Sequence, residues 1–248
     1  VSLRPVGPAR RLAVDLDNVD LAALDPWLPG GARLEGRIEG TGSFDLDASG
    51  LAGLELELRG GVSRLVRGDL PPLVFGPFTW RAQETQTGLV IDGRLPFTRG
   101  GLHLTANLAP GAALMQRPLT GELAIEIPDL AWLELLNWEL DQVQGRIEGR
   151  IALAGTLAAP QLAGRVQLVD GALRLRTPGI RLERITATLG TTQDGVFDLK
   201  ADASSGEGIL HVAGTLAPGA PTPLQLAIEG ERFQVLRRSD ARIWVSPQ

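Results

Sequence analysis

Apolar and polar residues alternate along most of the chain. In the run from Leu34 to Asp47, the even positions are apolar residues or glycine, and the odd positions are polar or charged. Because successive side chains of a strand point to opposite faces, this period of two puts the apolar groups on one face of a sheet. Sheets with one solvated face are usually antiparallel. The pattern therefore predicts a long meander of antiparallel strands, with a tight turn at Asp170-Gly171.

Two short segments replace this alternation with helical spacing. Leucines recur at intervals of three and four residues from Leu130 to Leu140, directly after Asp129. This spacing predicts a short amphipathic helix with Asp129 as its N-cap. The segment 20–28 has a similar start but contains a proline, so we expect only one turn of helix there.

The chain also contains an internal repeat. The segment Gly36–Gly40 returns unchanged as Gly145–Gly149, and the residues around His103 return around His211. A third copy opens at Leu226 and is cut short, so we expect the chain to be a piece of a longer protein. We predict one continuous elongated body made of a degenerate first unit, a second unit and the start of a third, over residues 1–118, 119–222 and 223–248.

The predicted apolar face must be covered. Leaving roughly 20 aliphatic side chains in water forfeits about 1.5–3 kcal/mol each, which exceeds the net stability of a domain. The sheet must therefore curl on itself, pair with a second sheet in a closed sandwich, or hold an apolar ligand. Glycines on the apolar face, such as Gly40 and Gly149, permit sharp curvature or close approach of another wall. The face is almost uniformly Leu, Ile and Val, and this favours a surface of low specificity over a sandwich core with aromatic anchors.

Composition excludes several classes of function. A net charge of −5 and a pI near 5.2 argue against a nucleic-acid partner, since such proteins present a basic surface to phosphates. The chain has no cysteine, and therefore no disulfide, thiolate metal site or cysteine nucleophile. No stretch of about 18 uninterrupted apolar residues predicts a membrane span.

No motif predicts an enzyme, a metal site or a cofactor. The two histidines, His103 and His211, occupy equivalent repeat positions on the polar side of their strands, and neither has the spacing of a metal site. The Ser204-Ser205 pair lacks the glycine pattern of a nucleophile elbow, so we interpret it as part of a flexible turn. We therefore predict no catalytic residue, no metal ligand and no cofactor.

The order of motifs along the chain resembles the TamB family. A short helix is followed by the Gly145–Gly149 strand, and then by further segments in a characteristic order: 154–164, 170–175, 203–208, 233–235 and 242–247. TamB is the inner-membrane subunit of the translocation and assembly module of Gram-negative bacteria. The resemblance points to its C-terminal region and covers residues 120–248 well, whereas residues 10–115 look like a degenerate preceding repeat.

The resemblance implies an all-β fold: a long curled antiparallel sheet, likened to a taco, that encloses an apolar interior groove and carries one or two short amphipathic helices. It also implies a location in the periplasm, as part of a protein anchored in the inner membrane. The implied partners are phospholipid acyl chains and the outer-membrane barrel TamA, which parts of the parent chain outside this sequence would contact. The implied roles are phospholipid transport between the membranes and assembly of outer-membrane β-barrel proteins such as autotransporters.

Apolar residues on the inward parity form the predicted wall of the lipid groove: Leu34, Ile38, Phe44, Leu46, Leu123, Ile125, Ile147, Ile151, Leu153, Val166, Leu168, Leu173, Leu175, Leu210, Val212, Leu216, Leu226 and Ile228. The first hypothesis is a lipid conduit. The second is a scaffold whose strand edges template incoming outer-membrane strands. A third, a parallel β-helix acting on polysaccharide, often has stacked asparagines, and the chain has only Asn18, Asn107 and Asn137.

Overall fold

The computed structural model describes residues 2–6, 10–47, 50–111, 113–177, 179–192, 196–217, 224–237 and 242–245. Over these ranges the protein is built almost entirely of strands. They are, in chain order, β1 (Ser2–Val6), β2 (Arg10–Asp20), β3 (Arg33–Glu35), β4 (Arg37–Asp47), β5 (Gly50–Gly60), β6 (Ser63–Val66), β7 (Leu73–Phe75), β8 (Phe78–Thr85), β9 (Gly88–Pro96), β10 (Gly101–Leu108), β11 (Leu119–Ile127), β12 (Leu140–Gly155), β13 (Pro160–Leu175), β14 (Ile180–Thr191), β15 (Phe197–Ser205), β16 (Gly208–Leu216), β17 (Leu224–Glu231), β18 (Phe233–Arg237) and β19 (Arg242–Val245).

Helical structure is limited to short segments. One α-helix, α1 (Leu133–Leu136), and three 3₁₀ segments (Leu21–Trp27, Pro29–Gly31 and Leu114–Gln116) occur in the part of the chain that the structure describes. None of these helices has the length and apolar character needed to cross a membrane.

The strands form one large sheet and two small ones. Within the described ranges the large sheet has 14 strands in the order β1-β2-β4-β5-β8-β9-β10-β11-β12-β13-β14-β15-β16-β17. The small sheets are β3-β6-β7 and β18-β19. Every registered pair is antiparallel, so the predicted fold class, an all-β protein built on a long antiparallel sheet with few helices, is confirmed.

The chain divides into two compact units. Unit 1 comprises residues 1–125 and 151–162, and unit 2 comprises residues 126–150 and 163–248. The boundaries predicted at 118/119 and 222/223 separate copies of the sequence repeat and not compact units. They stay a prediction.

Rows of facing residues cross unit 1 on its apolar side. One row runs from β2 to β10, through Leu16, Gly40, Leu58, Trp80, Gly93 and Leu104. The glycines of this face accommodate the side chains of neighbouring strands. A Cβ at Gly93 would lie 2.3 Å from Cε3 of Trp80, and a Cβ at Gly60 would lie 2.0 Å from Cε1 of Phe78. Aromatic rings therefore lie directly over glycine backbone in this unit.

The run from Leu34 to Asp47 is not the single strand that the alternation predicts. It breaks at Gly36, which has φ +146° and separates β3 from β4. A Cβ at Gly36 would fall 2.3 Å from the Oγ atom of Ser63, so only glycine fits there. As a result Leu34 lies in the small sheet, where it pairs with Leu65 on β6.

In unit 2 the strands from β13 to β17 pair in consecutive order, and β18 lies against β14, β15 and β16. One cross-strand row consists of Leu168, Ala187, Ala201, Val212 and Ile228. The turn predicted at Asp170-Gly171 is wrong, because β13 continues through both residues. Asp170 has φ 54°, and the ladder to β14 shifts register between Leu168 and Gly171, so the pair forms a β-bulge instead.

The predicted helix after Asp129 is shorter than its spacing indicates. Helix α1 ends at Leu136, and Leu140 already belongs to β12. The N-cap of α1 is Trp132, whereas the Oδ1 atom of Asp129 accepts a hydrogen bond from the backbone N–H of Ala131, at 2.9 Å, in the preceding turn. The helix is short because the next strand takes up the residues that would extend it.

The equivalent segment in the first repeat is a seven-residue 3₁₀ helix, Leu21–Trp27, which is longer than the single turn predicted. Asp20 is the N-cap, and its side chain accepts from the N–H of Ala22 at 2.9 Å. A second carboxylate bond also recurs in both repeats. The N–H of Leu34 donates to Oδ1 of Asp25 at 2.8 Å, and the N–H of Val143 donates to Oε1 of Glu134 at 2.8 Å. Each helical turn is thus tied to the strand that follows it.

Candidate functional site

The candidate site is the apolar face, and most of the predicted wall residues are half-buried. Of the seventeen whose side chains the structure describes, fifteen are half-buried and none is buried. The other two, Leu226 and Ile228, are each 49% exposed. The side chain of Leu46 lies outside the described part of the structure. Apart from Leu34, which lies in the small sheet, the described wall side chains lie on strands of the large sheet and keep part of their surface accessible.

The opposite face is charged and solvated. Along β12, the half-buried Ile147 lies between the exposed Arg146 and Glu148. Arg146 forms an ion pair with Asp170 on β13, and both side chains are more than half exposed. The alternation of apolar and charged positions predicted from the sequence is therefore present on the two faces of this strand.

In unit 1 the polar face carries a carboxylate that accepts bonds from two arginines. Oε1 of Glu57 accepts hydrogen bonds from Arg81 on β8 and from Arg59 on β5. The bond from Arg81, followed by the bond from Arg59, holds the pKa of Glu57 below its usual value. With two guanidinium groups and one carboxylate, the cluster carries a formal net charge of +1 on the solvated face.

The apolar face of unit 2 is aliphatic and becomes more exposed toward β17. Val212 on β16 is half-buried, and Ile228, its partner on β17, is 49% exposed. Leu224 and Leu226 on β17 are exposed to the same degree. Within the described ranges, β17 is paired on one side only, with β16. The face is therefore most accessible beside this strand.

The apolar face of unit 1 is closed in one place. Six residues on and beside β8 to β11 form a fully buried cluster: Ala82, Leu89, Ala106, Leu108, Leu114 and Leu119. Leu114 belongs to a short segment between β10 and β11, residues 113–118, that we call the strap. Leu56 on β5 and the predicted wall residue Leu153 on β12 pack against this cluster. The strap therefore covers part of the face that the sequence predicts to be a continuous wall.

Sequence reasoning missed the strap and its ion pair. Arg117 is 8% exposed at its side chain, and its Nη1 atom lies 2.6 Å and 2.9 Å from the two carboxylate oxygens of Glu84. One signal was present in the sequence. On β8, Phe78, Trp80 and Ala82 occupy the apolar parity, and Glu84 is the next residue of that parity. A carboxylate at an apolar position indicates a buried partner.

The chemically reactive side chains form no assembled site. His103 lies 3.1 Å from Asp92, and His211 bonds to Asp202, so each histidine has a carboxylate neighbour that its sequence context did not reveal. All four side chains are substantially exposed. Throughout the described part of the chain, no group of three or more histidine, cysteine or acidic side chains could hold a metal ion.

The Ser204-Ser205 pair is not part of a flexible turn. Both serines are buried at the end of β15, and the Oγ atom of Ser204 donates to the carbonyl oxygen of Glu183 at 2.9 Å. The turn itself consists of the next two residues, Gly206 and Glu207. The hydroxyl of Ser204 thus has a structural partner on β14.

Comparison with known families gives one match. A family model described as TamB, N-terminal domain, matches residues 5–168 of the chain. Comparison with curated proteins and comparison with solved structures each give no significant match. The match does not confirm the predicted placement near the C-terminal region of the family, because the matched model describes an N-terminal domain.

Proposed function

Because the chain belongs to the TamB family, the family of the translocation and assembly module, we propose that it shields phospholipid acyl chains on its apolar face. In this proposal it is one piece of a conduit that spans the periplasm between the inner and outer membranes. The parent protein is anchored in the inner membrane and meets the outer-membrane barrel TamA through other parts of its chain. The role is passive and involves no catalytic residue, metal or cofactor.

The observation that carries the proposal is the partial burial of the predicted wall. Fifteen wall side chains are half-buried, although apolar side chains of an ordinary core are usually fully enclosed. An acyl chain laid on such a face would remove the remaining apolar surface from water, at about 0.8 kcal/mol for each methylene buried.

The chemistry of unit 2 supports sliding rather than fixed binding. Its cross-strand row of Leu168, Ala187, Ala201, Val212 and Ile228 contains no hydrogen-bonding side chain and no aromatic ring. Apolar attraction has no direction, so an acyl chain on this row can move without breaking a specific contact. Headgroups would remain in water beside β17, where the exposure of the face is greatest.

Photo-crosslinking in the full-length protein in cells tests the proposal. An aliphatic diazirine amino acid replaces Ile147, which is half-buried on the apolar face of β12, and the adducts are identified by mass spectrometry. The matched control is Glu148, the next residue, which is exposed on the opposite face. We expect phospholipid adducts at Ile147 and none at Glu148. Protein adducts alone at Ile147 would show that the face is a packed core.

One observation favours a second function, the templating of outer-membrane β-strands. The backbone of β17 is paired on one side only within the described ranges, and its apolar side chains are unusually exposed. An open strand edge can accept a further strand by main-chain hydrogen bonding. A charged residue on the apolar face, such as Val212→Glu, distinguishes the two functions. It should impair lipid transport and leave strand templating largely intact.

A further inference from the structure

The strap crosses the apolar face of unit 1. It leaves the end of β10, and its 3₁₀ turn, Leu114–Gln116, contacts β5. In the sheet, β8 and β9 lie between β5 and β10, so the strap passes over both strands. Leu114 is 2% exposed and lies in the buried cluster with Leu89 and Leu108. The strap therefore occupies the space in which an acyl chain would lie on these strands.

Two of the polar contacts that hold the strap in place involve Arg117 and Met115. Arg117 is buried and forms the two-oxygen contact with Glu84, which lies on the apolar parity of β8. The carbonyl oxygen of Met115 accepts a hydrogen bond from the N–H of Ala158 at 2.9 Å. These contacts would have to break for the strap to leave the face, whereas a simple covering loop needs neither of them.

The second repeat lacks the residues that form the strap. The Ala-Pro-Gly-Ala segment that begins at Ala109 returns at Ala217. Leu123, in the strand that opens the second repeat, follows Ala109 by 14 residues, but its counterpart Leu226, in the strand that opens the third, follows Ala217 by only nine. The first repeat thus has five additional residues at this place.

Glu84, the ion-pair partner of Arg117 in the strap, is also specific to the first repeat. Glu84 precedes a Thr-Gln-Thr-Gly segment, and the residue before the matching Thr-Gln-Asp-Gly segment is Thr191. The second repeat has neither the additional residues nor a counterpart of Glu84. On the apolar row of unit 2, Val212 is half-buried and Ile228 is exposed.

We propose that the strap is a gate on the apolar face of unit 1, and this proposal rests on the lipid-conduit function proposed above. In the closed state, Leu114 fills the face between β5 and β10, and the Arg117–Glu84 pair holds it there. Acyl chains reach Leu56 and Ile91 only after the strap is displaced. Opening exposes the buried cluster to lipid, whose chains replace the contacts of Leu114.

The gate is tested in the full-length protein in cells with the aliphatic diazirine amino acid at Ile91, which packs against the buried cluster that contains Leu114. Three variants release the strap: Arg117→Met, Leu114→Ala, and deletion of residues 113–117, which restores the spacing of the second repeat. Val90, the next residue on β9, is 39% exposed and serves as the control for the opposite face. A second probe at Ile147 in unit 2 reports whether each variant is folded and carries lipid.

We expect the ratio of phospholipid adducts at Ile91 to those at Ile147 to rise about fivefold or more in the released variants, since each variant removes a contact that stabilises the closed state. Adducts at Val90 should not change. If Ile147 yields lipid adducts and the ratio is the same with and without the strap contacts, the gate is wrong and the conduit stands. If Ile147 yields no lipid adduct in any form of the protein, the conduit and the gate both fail.

Discussion

The apolar faces of the two units differ although the same alternating pattern encodes both. In unit 1, aromatic rings cover glycines, and the strap closes a cluster that includes Leu108, which is 0% exposed. In unit 2, the row from Leu168 to Ile228 is aliphatic and remains half-buried or exposed. The difference shows that a period of two determines which side chains share a face, but not whether that face is covered. The cover comes from a few residues outside the strands.

The largest expected difference between the units is in the stability lost when a leucine on the apolar face is replaced by alanine. Leu108→Ala in unit 1 should lower the free energy of unfolding by about 2–5 kcal/mol, because it leaves a cavity in a fully buried cluster. Leu168→Ala in unit 2 should cost about 1–2 kcal/mol, since that side chain is only half-buried. Urea unfolding followed by circular dichroism measures both values. Equal costs would mean that the two faces are covered to the same extent.

A smaller difference is expected between two ion pairs. Arg117→Met removes the cation of the buried pair, and because Glu84 is 35% exposed and partly screened, we expect a loss of about 1–3 kcal/mol. Arg146→Met removes the cation of an exposed pair and should cost about 1 kcal/mol or less. The same urea titration compares them. A larger loss for Arg146→Met would contradict the assignment of Arg117 as a strap anchor.

The smallest expected effect concerns the polar face of unit 1. Because Arg81 and Arg59 lower the pKa of Glu57 in the folded protein, its carboxylate favours the folded state above the pKa of the unfolded chain. That contribution is lost as the pH falls through the lower folded pKa, on the acid side of about 4.5. Nuclear magnetic resonance titration of the Glu57 side chain should show the lowered pKa, and Arg81→Gln should raise it. An unchanged pKa in Arg81→Gln would rule out this cause.

The sequence predicted the strands well because the period of two is a local signal. It failed where glycine or a bulge interrupts a strand without disturbing the pattern. Gly36 has the apolar parity of its run, yet its backbone conformation ends β3. Asp170 and Gly171 have the composition of a turn, but both neighbouring segments remain paired to β14 across a bulge. In each case the backbone geometry depends on a residue of another strand, Ser63 for Gly36 and Ile185 for Gly171.

Burial alternates along strands such as β12 with the period of two that the sequence predicts, but the cover of the apolar face could not be predicted. Residues 113–118 read as an ordinary connection, and the burial of Leu114 depends on β5, which lies more than fifty residues earlier in the chain. Arg117 likewise finds Glu84 only when the sheet is assembled. Such contacts leave only weak traces in the sequence, here a carboxylate at an apolar position and five additional residues in one repeat.

The central claim, that lipid occupies the apolar face where it is not covered, is tested most directly by comparing one position in each unit. The diazirine amino acid is placed at Val212 in unit 2 or at Ile91 in unit 1, in the full-length protein with its native strap, and phospholipid adducts are counted by mass spectrometry. Our account predicts abundant lipid adducts at Val212 and few at Ile91. Absence of lipid at Val212, with only protein adducts there, would contradict it.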